Sequence, residues 1–162
     1  MNMGHTWTAI LHPEPFRLPF LGYPERLVGG QWLAPERFYL AVNQDRRLGG
    51  SAVYRSDDGG ATWTGVLVNG PSGASEKTSS ANPGFPNLSE MALDPANPDI
   101  VYVGRQVFPT YAGPPEGGGV VTTLDGGTIW SELGQQDIGV VRDLGLDAAN
   151  HVLYAATDQG VR

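Results

Sequence analysis

The sequence predicts an all-β chain built from repeated antiparallel four-stranded units, and three observations point there. The first is an octapeptide that occurs twice, Ser56-Asp57-Asp58-Gly59-Gly60-Ala61-Thr62-Trp63 and Thr123-Leu124-Asp125-Gly126-Gly127-Thr128-Ile129-Trp130, each after a short β-prone run. The second is a longer repeat, in which residues 91–104 align with 144–156 and residues 31–42 form a weaker version. The third is composition: 23 Gly and 13 Pro among 162 residues suit short strands and punctuated turns rather than helices. A repeat spaced by tens of residues sets the architecture and is read before any single motif.

The octapeptide carries the chemistry of a tight turn. Its two glycines supply positive φ angles that other residues adopt only at a cost. The Asp carboxylate can accept hydrogen bonds from turn amides that a strand ladder leaves unpaired, and the leading Ser or Thr hydroxyl can do the same more weakly. The closing Trp starts the outgoing strand as a large apolar plug with a polar N–H. Ser56, Asp58, Gly60 and Trp63, and likewise Thr123, Asp125, Gly127 and Trp130, are therefore expected to be structural.

In chain order, Gly4-His5-Thr6-Trp7 matches Gly60-Ala61-Thr62-Trp63, so residues 1–15 are expected to end a preceding unit. The first unit spans 26–67, with strands A to D at 27–33, 37–43, 51–56 and 61–67. Residues 68–88, rich in Gly, Ser, Pro and Asn, read as a loop. The second unit spans 89–133, with strands at 89–94, 100–105, 119–124 and 128–133. A third, incomplete unit covers 140–162, with strands at 140–147 and 151–157 and a third strand opening at Gly160-Val161-Arg162. In such a meander the octapeptides are C–D turns and share one rim with the A–B turns. The long connections 43–51, 68–88 and 105–118 fall on the opposite rim.

The octapeptide resembles the Asp-box, or BNR repeat, of sialidase-type β-propellers. Related forms occur in sortilin-like receptors, in xyloglucanase-type glycoside hydrolases and in photosystem assembly factors. The resemblance implies a β-propeller of four-stranded antiparallel blades, present here as an incomplete arc of about three blades. Closed propellers hold four to eight, so the chain is expected to be a fragment of a larger ring. Its end faces are expected to favour self-association or poor solubility. In the families resembled, the box is a turn staple away from the ligand site, which stands on the long loops.

Composition narrows the function classes. A net charge of −7 with no basic run longer than Arg46-Arg47 argues against nucleic acid. No stretch approaches the ~20 apolar residues of a helical membrane span. The absence of cysteine removes disulfides, a thiol nucleophile and Cys-based zinc sites. His5, His12 and His151 have no metal-ligand spacing, so neither a metal nor a cofactor is expected. Met1-Asn2-Met3-Gly4-His5-Thr6-Trp7 lacks the basic and apolar regions of a signal peptide. The family resemblance nonetheless implies a secreted or cell-envelope protein.

Long loops on a rigid scaffold are the usual carriers of binding and catalysis. The long-loop rim offers Asp45, Arg46 and Arg47 in the first unit, Arg105, Tyr111 and Glu116 in the second, and Asp158 in the third. Asp158 and Asp45 are the candidate catalytic carboxylates, because a pair of them can cleave a glycosidic bond. Arg17, Arg47, Arg105, Tyr111 and Glu116 are the candidate ligand-binding residues, arginine being able to hold a carboxylate through two parallel hydrogen bonds.

Two local resemblances point the same way. Phe16-Arg17-Leu18-Pro19 is similar to the Arg-Ile-Pro motif of bacterial sialidases, which implies that Arg17 clamps a carboxylate. Tyr154-Ala155-Ala156-Thr157-Asp158-Gln159-Gly160 is similar to the acid-bearing segment of xyloglucanase-type enzymes, with Ala156 where those have Arg. The leading expectation is a fragment of a carbohydrate-active or carbohydrate-binding propeller, a glycoside hydrolase if it is an enzyme. The alternative is a non-catalytic propeller that binds a protein or peptide.

Overall fold

Residues 23–31, 33–45, 50–68, 88–106, 118–133 and 138–162 are described by a computed structural model. They form three antiparallel sheets. The first is β1 (Tyr23–Gln31), β2 (Ala34–Asp45), β3 (Gly50–Ser56) and β4 (Thr64–Val68), paired in that order. The second is β5 (Leu88–Leu93), β6 (Val101–Arg105), β7 (Gly119–Thr123) and β8 (Ser131–Leu133), again in order. The third holds β9 (Val141–Asp147), β10 (Val152–Thr157) and β11 (Gly160–Val161), with β10 in the middle. First strands lie side by side, β1 next to β5 and β5 next to β9, so the sheets radiate from one inner edge as a partial β-propeller. The damaged octapeptide at residues 2–7 and the loop at 69–87 lie outside the described residues.

Strand periodicity explains how the sheets stack. Successive side chains point to opposite faces, so a strand buried on both sides is apolar throughout. In β2, Tyr39 and Ala41 face the second sheet, where they join Val53, Leu67, Leu88, Met91, Val101, Val103, Val121 and Trp130 in one core. Leu40 and Val42, on the opposite face, join Ala52 and Tyr54. Val121 of β7 belongs to the first joint, while its neighbour Val120 meets Val141 and Ala155 of the third sheet. Each fully buried valine of these layers contributes about 1.5–3 kcal/mol of burial.

The fourth strands begin later than expected, at Thr64 and Ser131 rather than at 61 and 128. The cause is local. Asp58 Oδ1 accepts from the Thr62 amide at 2.8 Å, and Asp125 Oδ1 accepts from the Thr128 and Ile129 amides, each at 2.9 Å. Those residues are held in the turn and cannot join the ladder. β1 begins earlier than expected, at Tyr23, because Pro24 is accommodated opposite Val42 by a register shift before Arg26.

Candidate functional site

The two rims are built differently. On the first, each octapeptide is tied to the second strand of its own sheet or the turn before it by one backbone bond: Gly59 N donates to Glu36 O near the start of β2 and Gly126 N to Asp99 O in the turn before β6, both at 2.9 Å. Inside the turns, the Ser56 and Thr123 hydroxyls donate to Asp58 and Asp125, each at 2.8 Å. They also accept from Gly60 N at 2.8 Å and Gly127 N at 2.9 Å. The Thr62 hydroxyl and amide, with the Ser56 hydroxyl, hold the Asp58 pKa down at about 2. The Ile129 amide and the Thr123 hydroxyl lower that of Asp125 in the same way.

This rim also joins sheets. Trp130 Nε1 donates to Val66 O of the first sheet at 2.8 Å and to Gly127 O at 3.2 Å. Trp63 Nε1 donates to Gly60 O at 3.0 Å within its own turn. Arg37 pairs with Asp57 at 2.6 Å and also with Asp99 of the second sheet. Arg55 grips Asp57 at 3.0 Å and donates through Nη1 to Gly126 O at 2.6 Å. The Tyr39 hydroxyl donates to Pro98 O at 3.1 Å, and burial raises its pKa.

The opposite rim is where the sequence places its candidates. Asp45 ends β2 with its backbone opposite Gly50. Its side chain, and all of Arg17, Arg47, Tyr111 and Glu116, lie outside the described residues. Arg105 is not a loop charge. It ends β6 opposite Leu88 and Gly119, is only 8% exposed, and donates to Glu132 Oε1 at 3.1 Å.

Asp158 sits in the turn between β10 and β11, where its Oδ1 accepts from Val140 N at 2.9 Å. Its own amide donates to Val140 O at 3.2 Å. The carboxylate thus ties this turn to the chain entering β9. Among the described residues the structure brings no second candidate carboxylate to Asp158, and no group of three His, Asp or Glu could hold a metal ion.

Asn43 is the rim residue that sequence reasoning passed over. Its Nδ2 donates to Leu88 O and its Oδ1 accepts from Leu88 N, both at 2.8 Å, so a buried amide side chain mimics a strand partner across two sheets. A signal for it existed. Asn43 lies four residues after Tyr39, just as Gln106 follows Tyr102 and Asp158 follows Tyr154. A polar residue thus recurs at the end of every second strand. On the inner edge, Arg26 of β1 pairs with Glu90 of β5 at 3.0 Å.

Comparison with known proteins fits this geometry. No family model matches the chain, and no curated protein sequence matches it. Among solved structures, it is similar to YCF48 bound to D1 peptide, with TM-score 0.55 and 15% identity over 90% of this chain and 37% of that one. It is also similar to the GH74 xyloglucanase from Xanthomonas campestris, with TM-score 0.56 and 16% identity over 85% of this chain and 20% of that one. An ancestral GH74 enzyme gives TM-score 0.54 and 15% identity, over 85% of this chain and 16% of that one. At such identities the likeness concerns the fold, and this chain spans well under half the length of each.

Proposed function

We propose that this chain is part of a non-hydrolytic Asp-box propeller whose long-loop rim binds a protein or peptide segment. The observation that carries this reading is the state of Asp158. Glycoside hydrolysis needs two carboxylates facing a bond, about 5–10 Å apart, with one free to give up a proton. Asp158 has its carboxylate on a backbone amide, and Arg105, the candidate clamp, is buried against Glu132. Both side chains serve the blade ends. YCF48, a fold relative, was solved with a peptide bound, which supports a peptide ligand here by analogy of fold alone. Asp45, Arg47, Tyr111 and Glu116 are the rim residues proposed to meet it.

The test sets hydrolysis against binding. The chain is incubated with xyloglucan and with sialosides while reducing-sugar and sialic acid release are followed, and a display of overlapping peptides is screened in parallel. The expected result is no sugar release, with peptide-induced chemical shifts near Asn43, Gln106 and Asp158. Release that disappears in Asp158→Asn would overturn the reading in favour of a glycoside hydrolase.

A further inference from the structure

We infer that residues 8–22 of this chain cover the far face of the first sheet, with Ile10 and Leu11 in the places that Val66 and Leu67 hold in the first joint. That face is Leu40, Val42, Ala52 and Tyr54, each at most 3% exposed, with Trp63 packed beside them. All five belong to the first sheet and its own octapeptide, and neither the second nor the third sheet contributes to this cluster. A sheet face that meets only water does not bury its side chains to this degree, so a further stretch of chain lies on it.

Register says what kind of stretch this is. Leu40 lies opposite Tyr54 as Val103 lies opposite Val121, and Trp63 closes its octapeptide as Trp130 does. In the second sheet, Val103, Val121 and Trp130 pack on the preceding sheet. The outer strand of that sheet, β4, supplies Val66 and Leu67, and Val66 O takes the Trp130 indole N–H at 2.8 Å. The first sheet presents the corresponding face to whatever precedes it. Gly4-His5-Thr6-Trp7 repeats Gly60-Ala61-Thr62-Trp63, and counting on from each Trp sets Ile10 level with Val66 and Leu11 level with Leu67. The start of the chain thus has the sequence of an outer strand at the right distance from its own turn.

Length and composition single out the same segment. Residues 13–22 have to run from that outer strand back to β1, about three strand spacings or ~14 Å. Ten extended residues reach ~33 Å, and these carry Phe16, Leu18, Phe20 and Leu21 toward the face they cross. Residues 46–49 and 69–87, which like 1–22 lie outside the described residues, also border the first sheet. The former are four residues with two arginines, and the latter lead to the second sheet with Phe85 as their one large apolar side chain. A face covered from within the chain offers nothing to a second copy.

Paramagnetic labelling tests the assignment, since the chain has no cysteine of its own. Ala9 is level with the exposed Gly65, so Ala9→Cys carries a nitroxide without entering the contact. The expected result is broadening of the Leu40, Val42, Ala52 and Tyr54 signals and of the Trp63 indole N–H. An equal mixture of nitroxide-bearing chains and isotope-labelled chains without nitroxide should show none. Leu11→Asp should raise the fluorescence of anilinonaphthalene sulfonate several-fold as the face is uncovered, while far-UV circular dichroism keeps the parent's strand content. No broadening within the chain, or broadening that appears in the mixture, would overturn the proposal. A folded Leu11→Asp variant that leaves dye binding unchanged would do so too.

Discussion

Asp57 and Leu124 hold the same place in the two octapeptides and have opposite fates. Asp57 lies between two guanidinium groups, whereas Leu124 is exposed, so position two is not what makes the turn. Position three is. Asp58 and Asp125 collect hydrogen bonds from hydroxyls and amides, and both have lowered pKa values. A carboxyl whose pKa is lower folded than unfolded contributes stability above its ordinary range, and the contribution is lost as pH falls through the folded value. For Asp58 that window runs from the ordinary 3.8 down to about 2. The melting temperature of Asp58→Asn should therefore lie below that of the parent near neutrality, and the gap should close on acidification through this window. A gap that stays constant with pH would show that the carboxylate's charge contributes nothing.

At the scale of the element, the turn is also a spacer between sheets. Gly59 has φ +70° and open space where a Cβ would go. Gly127 has φ +99°, and a Cβ there would stand 2.6 Å from Val66 Cβ of the neighbouring sheet. Gly59→Ala should cost about 1–2 kcal/mol, the strain of a left-handed backbone alone. Gly127→Ala adds crowding worth a further 1–3 kcal/mol or so. Urea denaturation of both variants separates the terms, and equal losses would mean that the joint yields freely at Val66.

Across the whole molecule, the first joint is held on both rims. Arg37–Asp99, Arg55–Gly126, Tyr39–Pro98 and Trp130–Val66 tie the turn rim, and Asn43–Leu88 ties the loop rim. The second joint rests on an apolar layer of Val120, Val141 and Ala155 with Tyr102, Leu144 and Leu153 around it. Asn43→Ala would strand a buried N–H and C=O of Leu88 and should cost about 2–4 kcal/mol. Arg26→Ala, which removes a half-exposed ion pair with Glu90, should cost less than about 1 kcal/mol. If the two variants are equally stable in urea, the Asn43 clamp does not hold the sheets together.

What could be read in the chain alone is what is local. The hydroxyl and Asp of each octapeptide close their hydrogen bonds within eight residues, so hydroxyl, Asp and paired glycines announce the turn wherever they stand. The uninterrupted apolar run Tyr39-Leu40-Ala41-Val42 in β2 likewise announces a strand buried on both sides, and two such repeats imply stacked antiparallel sheets. Only the tertiary structure decided which polar groups are free. Arg105 and Asp158 carry the same charges as any loop residue, yet one is buried against Glu132 and the other fastens Val140. Asn43 finds Leu88 across 45 residues, Arg37 finds Asp99 across 62 and Trp130 finds Val66 across 64. Contacts at such separations depend on how one sheet is set against the next. Periodicity reports the face a side chain occupies, whereas its partner there is decided by packing.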